Sequence, residues 1–151
     1  MAPRNIIIDT DPGQDDAVAI LLALASPEDV HVLGITAVAG NVGLDLTQKN
    51  ARIICELAQK TDVPVFAGAK RPLERTLVTA EHVHGKTGLD GPILPDPEMP
   101  LQDQHAVDFI IETLRTESAG TVTLCPLGPL TNIAAAFNQG AQRDNRVGGS
   151  R

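Results

Sequence analysis

The densest chemistry in the chain is Asp9-Thr10-Asp11-Pro12-Gly13-Gln14-Asp15-Asp16, which places four carboxylates in eight residues. Two carboxylates ~4 Å apart near a protein surface repel by about 4 kcal/mol at an effective dielectric of about 20, so such a cluster invites a cation. Oxygen-only ligands select a hard ion, Ca²⁺ or Mg²⁺. A plainer reading gives Asp15 and Asp16 to the positive end of a helix dipole and Asp9 to the turn. Capping needs only one carboxylate, so the set as a whole reads as a ligand site. Further along, His82 and His84 flank Val83 with Glu81 beside them, as metal ligands or as solvated loop residues. Gly85-Lys86-Thr87 mimics the end of a phosphate-binding loop, but Ala80 stands where that motif needs its first glycine, and no strand leads into it.

These residues need elements to position them. Ile6-Ile7-Ile8 reads as a buried strand that ends at Asp9 and enters a tight turn at Pro12-Gly13. Ala17, Ile20, Leu21 and Leu24 then follow helical spacing, and Ser26-Pro27 stops the pattern. Residues 30–38 predict a second strand, 44–59 a helix with Ala51, Ile54, Leu57 and Ala58 on one face, and 63–66 a third short strand. Residues 68–103 are rich in Pro and Gly without periodicity, the pattern of a functional or mobile loop. Regularity returns with a helix on Val107, Ile110, Ile111 and Leu114, a strand at 122–125 and a helix on Leu130, Ile133, Ala134 and Phe137. The alternation predicts an α/β fold: an open, mostly parallel sheet with helices on both faces, Rossmann-like, binding ligands at the carboxyl ends of its strands.

Of the 151 residues 42% are hydrophobic, enough for a real core, and the formal charge is -7. That acidity argues against a nucleic-acid partner, as does an aromatic content of 2% with no Trp or Tyr to stack on bases. The longest apolar run, residues 17–25, is too short to span a bilayer, and the start lacks a signal-peptide core, so a cytoplasmic protein with no membrane partner is expected. Cys55 and Cys125 have neither a C-x-x-C nor a zinc spacing and read as buried reduced thiols. From Asn138 onward the chain carries three Arg and one Asp, opposite in sign to the body, with only Ala141 and Val147 apolar. Residues 1–137 are therefore expected to form the folded part and residues 138–151 a disordered tail.

The run D-T-D-P-G-x-D-D-A before a helix resembles the amino-terminal signature of the inosine-uridine preferring nucleoside hydrolases. Ala39-Gly40-Asn41, His82-Val83-His84-Gly85 before Gly88-Leu89-Asp90-Gly91, and Gly128-Pro129-Leu130-Thr131-Asn132 resemble that family in the same order, over residues 4–137. The resemblance implies an enzyme of nucleoside catabolism that cleaves the N-glycosidic bond to give base and ribose, with a bound Ca²⁺ orienting a water and the ribose hydroxyls. It implies that Asp11 ligates Ca²⁺ and acts as general base, and that Asp16 is a bidentate ligand. The main-chain carbonyl of Leu127 would be a further ligand, while Asp15 and Asn41 hold the ribose and His82 contacts the base. A homo-oligomer is the family's assembly. Such chemistry is physically coherent, since a cation acidifies water, a carboxylate takes the proton, and the ribosyl group departs through an oxocarbenium-like transition state.

Members of that family are about twice this length, well beyond one small domain. Their second half supplies a segment for the ribose 5′-hydroxyl, another metal-binding Asp and a histidine near the leaving group. No His follows Phe137 here, so the fold is expected to be incomplete relative to the family, the product truncated or frame-shifted, and its turnover disabled. Two other readings stand beside this one. Asp9-x-Asp11 after a strand also suits a Mg²⁺-dependent aspartyl-phosphate phosphohydrolase, although the Pro12-Gly13 and paired Asp15-Asp16 fit that poorly. An inactive remnant would expose a sheet edge and self-associate.

Overall fold

The computed structural model describes the backbone of residues 2–91 and 93–148 and the side chains as far as residue 142. In chain order the elements are β1 (Arg4–Thr10), α1 (Gln14–Leu24), β2 (Val30–Ala37), α2 (Leu44–Leu57), β3 (Val65–Ala67), α3 (Glu81–His84), α4 (Ala106–Thr116), β4 (Val122–Pro126) and α5 (Thr131–Gly148). The strands form one parallel sheet in the order β3-β2-β1-β4. The chain steps outward from β1 to β3 and then returns to the other side of β1. That reversal opens a crevice at the carboxyl end of β1, where open α/β sheets bind their ligands.

Alternation along β1 divides the core. Ile6 and Ile8 face one layer, with Ile20 of α1 and Ile54 of α2, whereas Ile7 faces the other, with Val107, Ile110 and Ile111 of α4 and Ala136 of α5. The α/β architecture with helices on both faces is thus the one the strand–helix rhythm implies. The β1–β2 register shifts between Ile6 and Ile7, whose partners are Val32 and Gly34. A side chain at Gly34 would meet Phe109 Cζ at 2.8 Å, because the rings of Phe66 and Phe109 stack across that space with centroids 3.9 Å apart.

Several faces differ from the sequence pattern. Ala51 and Ile54 of α2 are buried, but Leu57 is 57% exposed, and Phe137 of α5 is 66% exposed while Ala136 beside it is buried. A step of one residue turns a helix by about 100°, so a core contact through a small Ala136 sends Phe137 outward. Where sequence predicts disorder from Asn138, the backbone continues as helix to Gly148. Gln139, Ala141 and Gln142 are good helix formers whatever face they present, and Arg115 of α4 donates to the Gly140 carbonyl at 3.2 Å. Residues 149–151 lie outside the described residues.

The aperiodic segment 68–103 is strapped to α2. Glu56 Oε1 accepts from the amides of Glu98 and Met99, both at 2.6 Å, Arg52 donates to the Met99 carbonyl at 3.0 Å, and Lys49 pairs with Asp96. Met99 enters the core, and Gln102 bridges to Phe66 on the outer edge of β3. Among the described residues no strand pairs with the outer edge of β4.

Candidate active site

The first strand delivers Asp9, Thr10 and Asp11 to its carboxyl end, and Pro12-Gly13 turns the chain into α1. Asp16 lies in the first turn of that helix. Its Oδ2 accepts from the Gly13 amide at 3.1 Å and its Oδ1 from the Thr10 hydroxyl at 3.0 Å, so Asp16, at the third helical position, bonds back to the N-cap residue Gly13, a role the plainer reading gave to no residue of the helix. Asp11 Oδ2 accepts from the Asn41 amide at 2.7 Å. The Asn41 side chain returns a bond to the Asp11 carbonyl at 2.9 Å and reaches Asp16 Oδ2 at 3.5 Å, tying the two carboxylates together. Asn41 follows β2, so adjacent strand ends complete the arrangement.

Asp11 and Asp16 are 5% and 6% exposed. Burial pushes the Asp11 carboxyl up to about 6, against the bond from Asn41, and the negative charges of Asp16 and Asp15 push the same way. Burial likewise raises Asp16, opposed by the bonds from Gly13 and Thr10. The fold therefore holds two carboxylates where neither ionises freely, and a cation would relieve both. The backbone closes on the pair: a methyl group at Gly128 would come within 2.5 Å of Asp11 Oδ1, and one at Gly40 would overlap Asp11 Oδ2. Two glycines thus admit main chain where any side chain would displace the carboxylate. Leu127 precedes Gly128 on this segment, its amide donating to the Asp9 carbonyl at 2.7 Å. Among the described residues, no group of three His, Cys, Asp or Glu side chains could hold a metal ion.

Asp9 does not cap the turn. Its carboxylate is fully buried, and Oδ1 accepts from Thr36 Oγ1 at 2.6 Å and Asn132 Nδ2 at 2.8 Å. An aspartyl-phosphate mechanism needs that carboxylate open to attack a phosphoryl group, and here it is sealed beneath the site. Asp15, by contrast, is 80% exposed at the side chain, 4.0 Å from His84 Nδ1.

His82 is exposed. The neighbouring histidine instead meets the aspartate loop: His84 Nδ1 lies 2.8 Å from Gln14 Oε1. Asn50 of α2 clamps this segment, donating to the Pro12 carbonyl at 3.1 Å and the Thr87 carbonyl at 2.8 Å. The phosphate-loop mimic is filled from within, because the Lys86 and Thr87 amides and the Thr87 hydroxyl all donate to the Asp90 carboxylate. Those bonds, led by the Thr87 hydroxyl, hold Asp90 below the usual carboxylate range. Sequence reasoning missed Thr10, Asn50 and Asn132. Their signal was a polar residue inside an apolar pattern, as with Asn50 beside Ala51. Of the cysteines, both free, Cys55 is buried, with its thiol pushed up to about 12 mainly by burial, whereas Cys125 is only partly buried. No helix among the described residues is long and apolar enough to cross a membrane.

Known proteins resemble the chain closely. It is 55% identical over 135 residues to an uncharacterized protein of Schizosaccharomyces pombe, covering 89% of this chain and 43% of that one. It is 52% identical over 131 residues to the pyrimidine-specific ribonucleoside hydrolase RihA of Photobacterium profundum, covering 87% and 42%. The purine-preferring ribonucleoside hydrolase of Gardnerella vaginalis superposes with a TM-score of 0.85 at 33% identity, over 92% of this chain and 45% of that one. The chain thus spans less than half the length of these relatives. Residues 6–149 match the family described as inosine-uridine preferring nucleoside hydrolase, and with strand-end carboxylates in this arrangement the chain belongs to that family.

Proposed function

We propose that the chain carries the cation- and ribose-binding half of a Ca²⁺-dependent N-ribohydrolase site that splits ribonucleosides into base and ribose. The observation that carries this is the buried Asp11–Asp16 pair, joined by Asn41 and enclosed by Gly40 and Gly128, at the switch point of the sheet. The donor set fits a hard cation: carboxylate oxygens from Asp11 and Asp16, with the main-chain oxygen of Leu127 as a further ligand. When bound, Ca²⁺ supplies a positive charge that makes a nearby water more acidic and draws the ribose hydroxyls into place. Asp11, whose carboxylate the cation would hold ionised, takes the water's proton as general base. Asp15 and Asn41 bind ribose hydroxyls, and His82 contacts the nucleobase from the loop above. No covalent nucleophile is required, in keeping with the sealed Asp9. We place the protein in the cytoplasm, with a nucleoside as its small-molecule partner.

The test uses the full chain. Calcium titration followed by thermal denaturation is expected to raise Tm, since a ligand specific for the folded state must stabilise it. Release of base from cytidine, uridine and inosine, followed with and without EDTA, then reads the chemistry, and any turnover is expected to disappear with the chelator. A Tm indifferent to Ca²⁺, or measurable base release that EDTA leaves unchanged, would sink the proposal. A second reading, self-association, is favoured by the outer edge of β4, unpaired among the described residues, and the exposed Leu130 and Phe137 of the adjoining segment. Sedimentation across a concentration series tests it, with a monomer throughout as the contrary result.

A further inference from the structure

We infer that Asp9 is a positioning residue for the Asp11–Asp16 site, acting through Asn132 and Thr36 to set the 127–128 backbone against Asp11. The inference rests on the cation site proposed above. Asn132 turns its amide group both ways: Nδ2 donates to Asp9 Oδ1 and to the Ala37 carbonyl at 3.1 Å, while Oδ1 accepts from the Ala69 amide at 2.8 Å. One side chain thus fastens the start of α5 to the ends of β1 and β2 and to the segment after β3. Thr36 adds a bond from β2. The Asp9 carbonyl then accepts the amides of Leu127 at 2.7 Å and Gly128 at 3.3 Å, which holds that segment over Asp11.

Two further observations separate this role from simple core packing. The Asp9 carboxylate is fully buried and its Oδ2 has no hydrogen-bond partner among the described residues, an arrangement a stability-driven core avoids. What the group contributes is the double acceptor at Oδ1. A side chain at Gly68 would also overlap the Asn132 amide, so the backbone there is shaped to admit the node. Groups that orient ligands from behind commonly change metal affinity about 10- to 100-fold when removed.

Calorimetric titration of the full chain with CaCl₂ tests the assignment, on variants first shown to be folded by far-ultraviolet circular dichroism. Asp9→Ala and Asn132→Ala are expected to weaken Ca²⁺ binding about tenfold or more, and Thr36→Val roughly threefold, although none removes a proposed ligand. Asp9→Asn keeps an acceptor at Oδ1 and is expected to restore affinity to within about twofold of wild type. Without cation, amide exchange at Leu127 and Gly128 should quicken in Asp9→Ala and Asn132→Ala but not in Asp9→Asn. If Asp9→Ala does not fold, the near-isosteric Thr36→Val and Asp9→Asn still decide the matter. Wild-type affinity in Asn132→Ala and Thr36→Val overturns the inference, and so does an Asp9→Asn loss as large as that of Asp9→Ala. Asp16→Ala, which removes a proposed ligand, tells the two levels apart: should it abolish binding while the node variants do not, only the positioning role fails. A wild-type chain that binds no Ca²⁺ overturns the site and the inference together.

Discussion

Asp15 and Asp16 are adjacent in the chain and opposite in circumstance. Asp16 is 6% exposed and accepts hydrogen bonds at both oxygens, whereas the Asp15 side chain is 80% exposed and lies 4.0 Å from His84 Nδ1. Asp11 belongs with Asp16, and Asp9 lies deeper still. The run of carboxylates that looks uniform in sequence is therefore graded by depth: one carboxylate anchors the frame, two share an electrostatic burden, and one meets solvent. Charge density locates the site, while burial decides what each member does in it.

The largest expected effect comes from Asp16→Ala, which removes a proposed ligand and the helix cap at once. Calorimetry should find Ca²⁺ binding lost, and urea denaturation a loss of about 1 kcal/mol from the cap. Retained affinity would show that depth does not assign the ligands.

Asp11→Asn keeps an acceptor for the Asn41 amide but removes the charge. Ca²⁺ affinity should fall by about tenfold or more, and the cation-free fold should gain stability at pH 7. The sign follows from linkage. With its carboxyl raised from 3.8 to about 6, Asp11 binds a proton more tightly when folded than when unfolded, so its ionisation opposes folding. That penalty is absent below about 3.8, grows between 3.8 and 6, and is complete above 6. Wild-type stability minus that of Asp11→Asn, from urea titrations between pH 4 and 7, should therefore decline as pH rises. A flat difference would mean that Asp11 is not strained. Calcium affinity of the wild type should likewise weaken below pH 6, as protons compete for the same oxygen.

The smallest effect is assigned to Asp15→Asn. At such exposure its charge is well screened, so Ca²⁺ affinity should stay within about twofold, with any change confined to nucleoside binding. An Asp15→Asn variant as damaging to Ca²⁺ binding as Asp16→Ala would erase the contrast.

Much of this was legible in the sequence because it depends on local pattern. Ile6-Ile7-Ile8 alternates between two layers, Asp9 to Asp16 announce a charged turn, and Gly40-Asn41 and Gly128 fall at strand ends. Burial on particular helix faces was less legible. Leu57 and Phe137 carry apolar side chains at suitable spacing yet point outward, because the rotation of a helix against its sheet is set by whichever small residue makes the close contact. Least legible was the loop. His82 and His84 are equivalent in composition, and only the clamp from Asn50 and the Gln14 contact bring His84 rather than His82 to the aspartates. The phosphate-loop mimic misled for a similar reason, since Asp90 fills the nest from five residues beyond Gly85.

The hydrogen bond between Asp9 and Asn132 spans 123 positions of sequence. During synthesis Asp9 emerges 123 residues before Asn132, the side chain that ties its base to the rest of the sheet and that follows all four described strands. Until then Asp9 lacks the Asn132 amide, although the Gly13 and Asn41 amides that bond Asp16 and Asp11 are already made. The base of the site is thus closed by a residue translated long after the carboxylates, so the proposed cation binding would report that the chain has folded through Asn132.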